Sequence, residues 1–164
     1  MKKKLAVTPV LVLALIAVCA IAFAATQLGL LTFTSNEYQY SDEQHSADVN
    51  VPALTITPES EEGAAEKAAQ VIKNINAEIA AIAEKYITDF KNGLGSDNHQ
   101  DVKINYEVLN ANDHYFTLRL ICYTASGDSS EVDYYYTVDL STGERVQLSD
   151  LFMAGSNYIT ILAE

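Results

Sequence analysis

Residues 134–152 read YYYTVDLSTGERVQLSDLF, and this stretch decides the fold. Side chains alternate between the two faces of a strand. One face of the first strand predicted here therefore carries Tyr134, Tyr136, Val138 and Leu140. Residues 141–143, Ser-Thr-Gly, predict a turn. A short strand at 146–148 and a helix capped by Ser149 are predicted to follow.

Two upstream segments show the same period of two. The segments 102–108 and 115–124 alternate apolar and polar residues and predict half-buried strands. In the second segment one face carries Phe116, Leu118, Leu120 and Cys122, and the other carries Tyr115, Thr117, Arg119, Ile121 and Tyr123. A polar loop is predicted at 125–131. The strands from residue 102 onward therefore predict an antiparallel meander with Tyr135 on the same face as Tyr115 and Tyr123.

A long helix is predicted before the meander. It starts at a cap on Thr57 or Ser60 and stops at Gly93. Apolar residues recur along it at steps of three and four: Ala65, Ala68, Ile72, Ile75, Ile79, Ile82, Tyr86 and Phe90. Such a stripe packs either on the chain's own sheet or in a coiled-coil seam, and the strands that follow favour the sheet. Residues 49–51 lead into a short predicted first strand at 53–57, and Pro52 between them favours an edge position or an irregular start.

The predicted fold class is therefore α+β, with one long helix packed on an antiparallel β meander after an N-terminal membrane-spanning or signal helix. Residues 2–4 are lysines, and an apolar run long enough to cross a bilayer follows them to residue 33. The lysines predict that the rest of the chain lies outside the cytoplasm. We expect residues 1–33 to be a signal peptide or membrane anchor, residues 34–48 a linker, and residues 49–164 the extracytoplasmic domain.

The N-terminal segment has two interpretations. A retained anchor gives a single-pass protein of the cell membrane. A cleaved signal gives a secreted protein, and Ala22 and Ala24 then form the small-x-small signal peptidase site. Cys19 follows the bulky Val18, which suits an ordinary apolar position in this segment better than a lipidation site.

The exported part is strongly acidic. After Phe33 the chain carries seven basic and 22 acidic residues, a formal charge of −15. Nucleic acids and anionic lipids are bound by basic surfaces, so both are disfavoured as partners of this part. The charge favours a cationic partner.

No catalytic or cofactor motif is found in the sequence. His45, His99 and His114 lack metal-ligand spacing, and the acidic residues match no calcium-binding loop. Cys122 is predicted to point inward, which suits a small buried residue better than a nucleophile. We expect no cofactor, no metal and no enzymatic activity.

The stretch 136–152 also carries a family resemblance. Its motif consists of an aromatic residue, Asp139-Leu140, Thr142-Gly143, a short strand and Asp150-Leu151-Phe152. In this motif, in the helix with Ile75-Asn76 and in the strand pair upstream, the chain from residue 49 resembles the extracytoplasmic domain shared by PdaC-type peptidoglycan deacetylases and RsiV-type lysozyme-sensing anti-sigma factors. That domain often has a Gly-Gly-Ala-His-Gly-like loop where this chain has residues 125–130. It also has a further C-terminal half, so we expect residues 49–164 to be an incomplete copy.

The resemblance implies a non-catalytic binding or sensing domain of the bacterial cell envelope. Its implied ligand is a lysozyme-like protein or peptidoglycan. The alternative is the accessory N-terminal region of a polysaccharide deacetylase whose catalytic domain is absent from this chain. On the first reading, the candidate contact residues lie on the second face of the meander: Tyr115, Arg119, Tyr123 and Tyr135. The alternative for this face is that protein absent from this chain covers it.

Overall fold

The computed structural model describes residues 26–28, 31–56, 63–95, 98–153, 155–157 and 160. The elements in chain order are β1 (Thr26–Leu28), β2 (Leu31–Ser41), β3 (His45–Ile56), α1 (Gly63–Gly93), β4 (Gln100–Ala111), β5 (Tyr115–Ser126), β6 (Asp128–Asp139), β7 (Glu144–Val146) and a 3₁₀ helix (Leu148–Leu151).

The described strands form one sheet in the order β1 to β7. All neighbouring strands are antiparallel except β3 and β4, which pair in parallel from His45–Gln100 to Val49–Ile104. A parallel pair needs a crossover connection, and α1 supplies it. The α+β class and the meander of β4 to β7 are confirmed, with β1, β2 and the parallel pair as additions that were not predicted.

The helix packs on this chain's own sheet. Its buried residues recur with helical spacing: Ala68, Ile72, Ile75, Ile79, Ala83 and Phe90. They share one core with the inward-facing side chains of β3 to β6. Because this stripe is buried within a single copy of the chain, it is not a coiled-coil seam. Residues 57–62, which include both predicted helix caps, lie outside the described residues.

The predicted linker at residues 34–48 is wrong, because this segment forms most of a hairpin of β2 and β3. Tyr38 and Tyr40 alternate with polar neighbours and pack against the core. The ring of Tyr40 meets that of Phe90 edge-on with 5.4 Å between centroids. A polar stretch therefore forms a strand here because only every second residue has to face the core.

The folded part of the chain also begins before the predicted boundary at residue 33. Leu31 and Phe33 are buried in the core, and β1 lies still earlier. The end of the apolar run therefore belongs to the sheet. Residues 1–25, with the possible peptidase site at Ala22 and Ala24, lie outside the described residues. Within the described residues, no helix has the length and apolar character needed to span a membrane.

Pro52 marks neither of the two expected places, an edge strand or an irregular strand start, because β3 lies between β2 and β4 and begins at His45. Pro52 comes after the last β3–β4 pair at Val49, so its missing N–H interrupts no ladder on that side. Further along, Asn76 of α1 takes the place of a neighbouring strand. The Leu54 N–H donates to Asn76 Oδ1 at 2.9 Å, and Asn76 Nδ2 donates to the Leu54 carbonyl at 2.8 Å.

Two local predictions in the second half of the chain are corrected. The polar loop at 125–131 is instead a tight hairpin in which Ser126 pairs with Asp128 around Gly127, which has φ of +83°. Ser149 does not cap the helix predicted to follow it, because it lies inside that helix. That helix is a 3₁₀ turn, and the backbone N–H of Gln147 donates to the Asp150 carboxylate at 2.7 Å.

The turn between β6 and β7 joins the sheet to the start of α1. One Asp139 carboxylate oxygen accepts hydrogen bonds from the Ser141 N–H at 2.9 Å and the Thr142 N–H at 3.2 Å. A hydrogen bond from the Ser141 hydroxyl, together with these two backbone bonds, lowers the pKa of Asp139. Gly143 has φ of +73° and lies against the backbone of Ala64 and Ala68, where a Cβ atom has no room.

We expect Gly143→Ala to destabilise the fold by about 2–4 kcal/mol, since it adds backbone strain to a steric clash with α1. Urea unfolding measures this. Gly127→Ala is the matched control, because Gly127 has a similar φ but open space around it. It should cost about 1 kcal/mol from strain alone. Equal costs at both positions would contradict the close approach of the turn to the helix.

Asn76→Ala should cost about 1–3 kcal/mol, because it leaves both backbone groups of Leu54 without their partner. The control is Asn74→Ala on the exposed side of the same helix, where Gln70 donates to the Asn74 amide oxygen at 3.0 Å and no other described residue bonds to it. That change should stay within about 0.5 kcal/mol of zero. A comparable loss of stability in both variants, measured by urea unfolding, would rule out the strand-like role of Asn76.

Candidate functional site

The sheet face opposite α1 carries all four predicted contact residues. Tyr115, Arg119 and Tyr123 alternate along β5 with the buried Phe116, Leu118, Leu120 and Cys122. Tyr135 of β6 pairs directly with Arg119. We call this side of the sheet the outer face.

Arg119 lies among three carboxylates from neighbouring strands. It donates from Nη2 to Asp133 at 2.7 Å and from Nη1 to Glu107 at 3.4 Å, and Glu131 is 3.7 Å away. The hydrogen bond to Asp133 is the main cause that raises the pKa of Arg119. The guanidinium is thus matched by negative charge from β4 and β6. It holds three strands together and presents little free positive charge to a ligand.

Tyr123 lies at the opposite end of β5 from Tyr115. The two are eight residues apart, roughly 26 Å at the rise of a strand, and Arg119, the partner of Tyr135, lies midway between them. Tyr123 is half-buried and pairs with Lys103 on one side and Glu131 on the other. The four predicted contact residues therefore share one face but do not form one site.

Tyr115 and Tyr135 line a common groove of about 790 Å³ beyond the end of β7. Leu148 and Leu151 of the 3₁₀ helix form its other wall. All four side chains are exposed, from 44% for Tyr115 to 70% for Leu151. We call these four residues the tyrosine–leucine patch. Exposed apolar side chains grouped in this way are typical of an interaction surface.

The two leucines of this patch were not predicted as site residues. The sequence predicts a strand that ends at Leu148 and a helix that follows Ser149. Each leucine is then an ordinary apolar residue of one of these elements. The signal that was present is their spacing of three residues, which places both on one side of a short helical turn. Which side that turn presents to solvent depends on tertiary packing and is not written in the spacing.

Two of the histidines and the buried cysteine have surroundings that explain their role in the fold. His45 and His99 lie near the adjacent starts of β3 and β4, but each contacts its own aspartate, Asp42 at 3.0 Å and Asp101 at 2.8 Å. Burial raises the pKa of Cys122 to about 11, which keeps its thiol protonated. Among the described residues no group of three or more His, Cys, Asp or Glu side chains is arranged to hold a metal.

One arrangement contains the three residue types of a hydrolytic triad. The Ser46 hydroxyl donates to Asp101 at 2.5 Å, and His99 contacts the other oxygen of the same carboxylate. In a nucleophilic triad the histidine lies between serine and aspartate, so that it can accept the hydroxyl proton. Here the aspartate lies in the middle. These two hydrogen bonds lower the pKa of Asp101 and do not activate Ser46.

Comparison with known proteins gives a fold relationship. No protein-family model and no curated protein matches the chain. A DUF3298 family protein from Pseudomonas aeruginosa PAO1 superimposes with a TM-score of 0.50 and 13% sequence identity, over 86% of this chain and 63% of its own. A member of the same family from Bacteroides fragilis NCTC 9343 gives 0.47 and 12%, over 84% and 67%.

This likeness concerns the fold alone. The chain has the fold of a DUF3298 protein and spans 63% of the length of the Pseudomonas protein. DUF3298 is the domain found in PdaC- and RsiV-type proteins, so the resemblance noted in the sequence agrees with the structure at the level of fold.

We expect Arg119→Gln to lower the melting temperature, because Glu107, Glu131 and Asp133 then repel one another across the outer face. The loss should shrink in about 0.5 M NaCl, where charges separated by several ångströms are screened. Lys103→Gln is the matched control on the neighbouring strand, since among the described residues Lys103 makes no side-chain hydrogen bond or ion pair and acts only at longer range, on Asp101. A salt-independent loss would show that packing of the arginine stem is what matters.

Proposed function

We propose that the chain is a non-catalytic extracytoplasmic binding domain of the bacterial cell envelope, and that its ligand is a cationic protein of the lysozyme type. The observation that carries the proposal is the tyrosine–leucine patch. Tyrosine is enriched at protein interfaces because it offers a large apolar area together with a hydroxyl group. Two exposed tyrosines and two exposed leucines around one groove fit that composition.

The charge of the chain supports a cationic ligand. The part after Phe33 carries −15, and Asp150 lines the same groove as the patch. Complementary charge raises the rate of encounter, while apolar contacts at the centre of an interface supply most of the affinity. The export expected from residues 1–33 and the resemblance to lysozyme-sensing proteins support the envelope setting and the class of ligand.

The test is calorimetric titration of the full-length chain, kept soluble in a neutral detergent, with a purified c-type lysozyme. The double variant Tyr115→Ser, Tyr135→Ser should weaken binding by about 10-fold or more, because both side chains belong to the apolar centre of the interface. The matched control is Tyr123→Ser, which changes a tyrosine on the same face but outside the groove, roughly 26 Å from Tyr115 and roughly 13 Å from Tyr135 along the strands. It should change the affinity by less than about twofold.

Several outcomes would reject the proposal. Equal weakening by Tyr123→Ser would show that the patch is not the contact. Binding that vanishes in about 0.3 M NaCl would indicate charge attraction without a specific interface. If lysozyme does not bind and the chain instead sediments with insoluble peptidoglycan in a manner sensitive to Tyr115 and Tyr135, the ligand is the polysaccharide. Thermal melting of each variant shows whether its fold is intact.

A further inference from the structure

The last long strand of the sheet has an open edge. β6 pairs with β5 along its whole length, from Ser126–Asp128 to Tyr115–Asp139. On its other side, among the described residues, only Thr137 to Asp139 pair with β7. Residues 128–136 therefore present one row of backbone N–H and C=O groups over roughly 30 Å without a neighbouring strand.

This edge is protected against strand addition by charge of one sign alone. Proteins protect edges with charged side chains, most often lysines, and with prolines or bulges. Residues 128–136 contain no lysine and no proline, and their pairing with β5 has no irregularity. They carry three acidic residues instead: Asp128, Glu131 and Asp133. An acidic edge repels acidic or like strands and leaves the backbone open to a basic one.

The charges argue against a second copy of this chain as the occupant. Antiparallel self-pairing centred on Val132 places Glu131 of one copy opposite Asp133 of the other, on the same face. Centring the pair on Glu131 or Asp133 places each of these residues opposite itself. Like charges directly opposite one another destabilise a strand pair. The segment holds no basic residue, and the Arg119 of each copy is already shared by Glu107, Glu131 and Asp133 of that copy.

A groove runs beside the edge, between β6 and α1. It is lined by Ala81, Ile82, Tyr134, Tyr136, Glu78 and Arg145, with a volume of about 470 Å³. Arg145 contacts Glu78 at 2.7 Å and lies 5.1 Å from the centre of the Tyr136 ring. Side chains of an added strand alternate in direction. Apolar ones would enter this groove beside Ile82, and those between them would lie next to Glu131 and Asp133.

We propose that the edge of β6 binds an extended cationic peptide segment as an additional strand. The inference rests on the binding role proposed above and specifies the form of the bound segment. Recognition of this kind takes its affinity from main-chain hydrogen bonds and its specificity from alternate side chains. The fitting segment alternates basic residues with small apolar ones.

The probe is the acetylated and amidated peptide Lys-Val-Lys-Val-Lys-Val-Lys, added to the full-length chain in neutral detergent. Amide hydrogen exchange of the chain is measured with and without the peptide. Binding should slow exchange in residues 130–136 by about 10-fold or more, because the added strand protects the edge N–H groups. The control peptide has the same sequence and charge with every backbone nitrogen methylated, and it should give no protection.

Charge variants test the second half of the inference. Asp128→Asn with Glu131→Gln should weaken peptide binding roughly threefold or more, because both carboxylates flank the edge. The matched control removes the same charge elsewhere: Glu43→Gln in the turn between β2 and β3, with Asp113→Asn in the turn between β4 and β5. Both control side chains are exposed, and neither lies on β6.

Four results would overturn the inference: no binding at about 1 mM peptide, equal binding of the methylated peptide, protection confined to residues outside β6, or a dimer of the chain paired through β6. The two proposals also fail separately. If lysozyme binding depends on Tyr115 while the edge amides stay unprotected, the binding function stands and the strand addition falls. If the edge binds the peptide but lysozyme is not bound, the proposed ligand falls.

Discussion

The burial of one side of α1 against the inner face of the sheet is the interaction on which the other parts of the structure depend. Each fully buried isoleucine of this helix contributes about 1.5–3 kcal/mol through removal of its surface from water. Because the helix crosses from the end of β3 to the start of β4, it also requires these two strands to pair in parallel. The helix thereby determines which face of β4 to β7 is covered and which is left exposed.

Two contacts, one polar and one steric, fix the helix on the sheet at separate places. Asn76 binds the backbone of Leu54 where β3 has separated from β4, and the glycine turn after β6 fits against the first turns of the helix. These contacts explain residues of the family-like motif in physical terms. Asp139 is needed to close the turn, and Gly143 is needed because both its backbone angle and its distance from Ala64 exclude a side chain.

The sequence predicted most of the core and much less of the surface. The helical stripe and the alternation in β4 to β6 are strong patterns, because burial requires an apolar residue at every turn or every second position. The hairpin of β2 and β3 was not predicted because its first strand is mostly polar. Between Phe33 and the turn, Tyr38 and Tyr40 are the only large apolar residues, and two residues make a weak alternating pattern. The parallel pairing of β3 and β4 leaves no trace in local sequence.

The candidate site was predicted in part for the same reason. Alternation placed Tyr115, Arg119, Tyr123 and Tyr135 on one face, and the structure agrees. It did not give their separation along the strands, nor the three carboxylates that surround Arg119, because these depend on the register between strands. Leu148 and Leu151 belong to this surface because of the position of the 3₁₀ helix. That position follows from the turn at Gly143, and the spacing of the two leucines alone does not predict it.

The three consecutive tyrosines show how neighbouring residues of one strand differ in burial. Tyr136 is buried, and burial raises the pKa of its hydroxyl to about 12. Tyr134 is half-buried against the same core, whereas Tyr135 points to the outer face and is 57% exposed. Position in the pleat alone assigns these roles, since the residue type is the same. The middle tyrosine can therefore change with little effect on the packing of helix and sheet, which depends on its two neighbours.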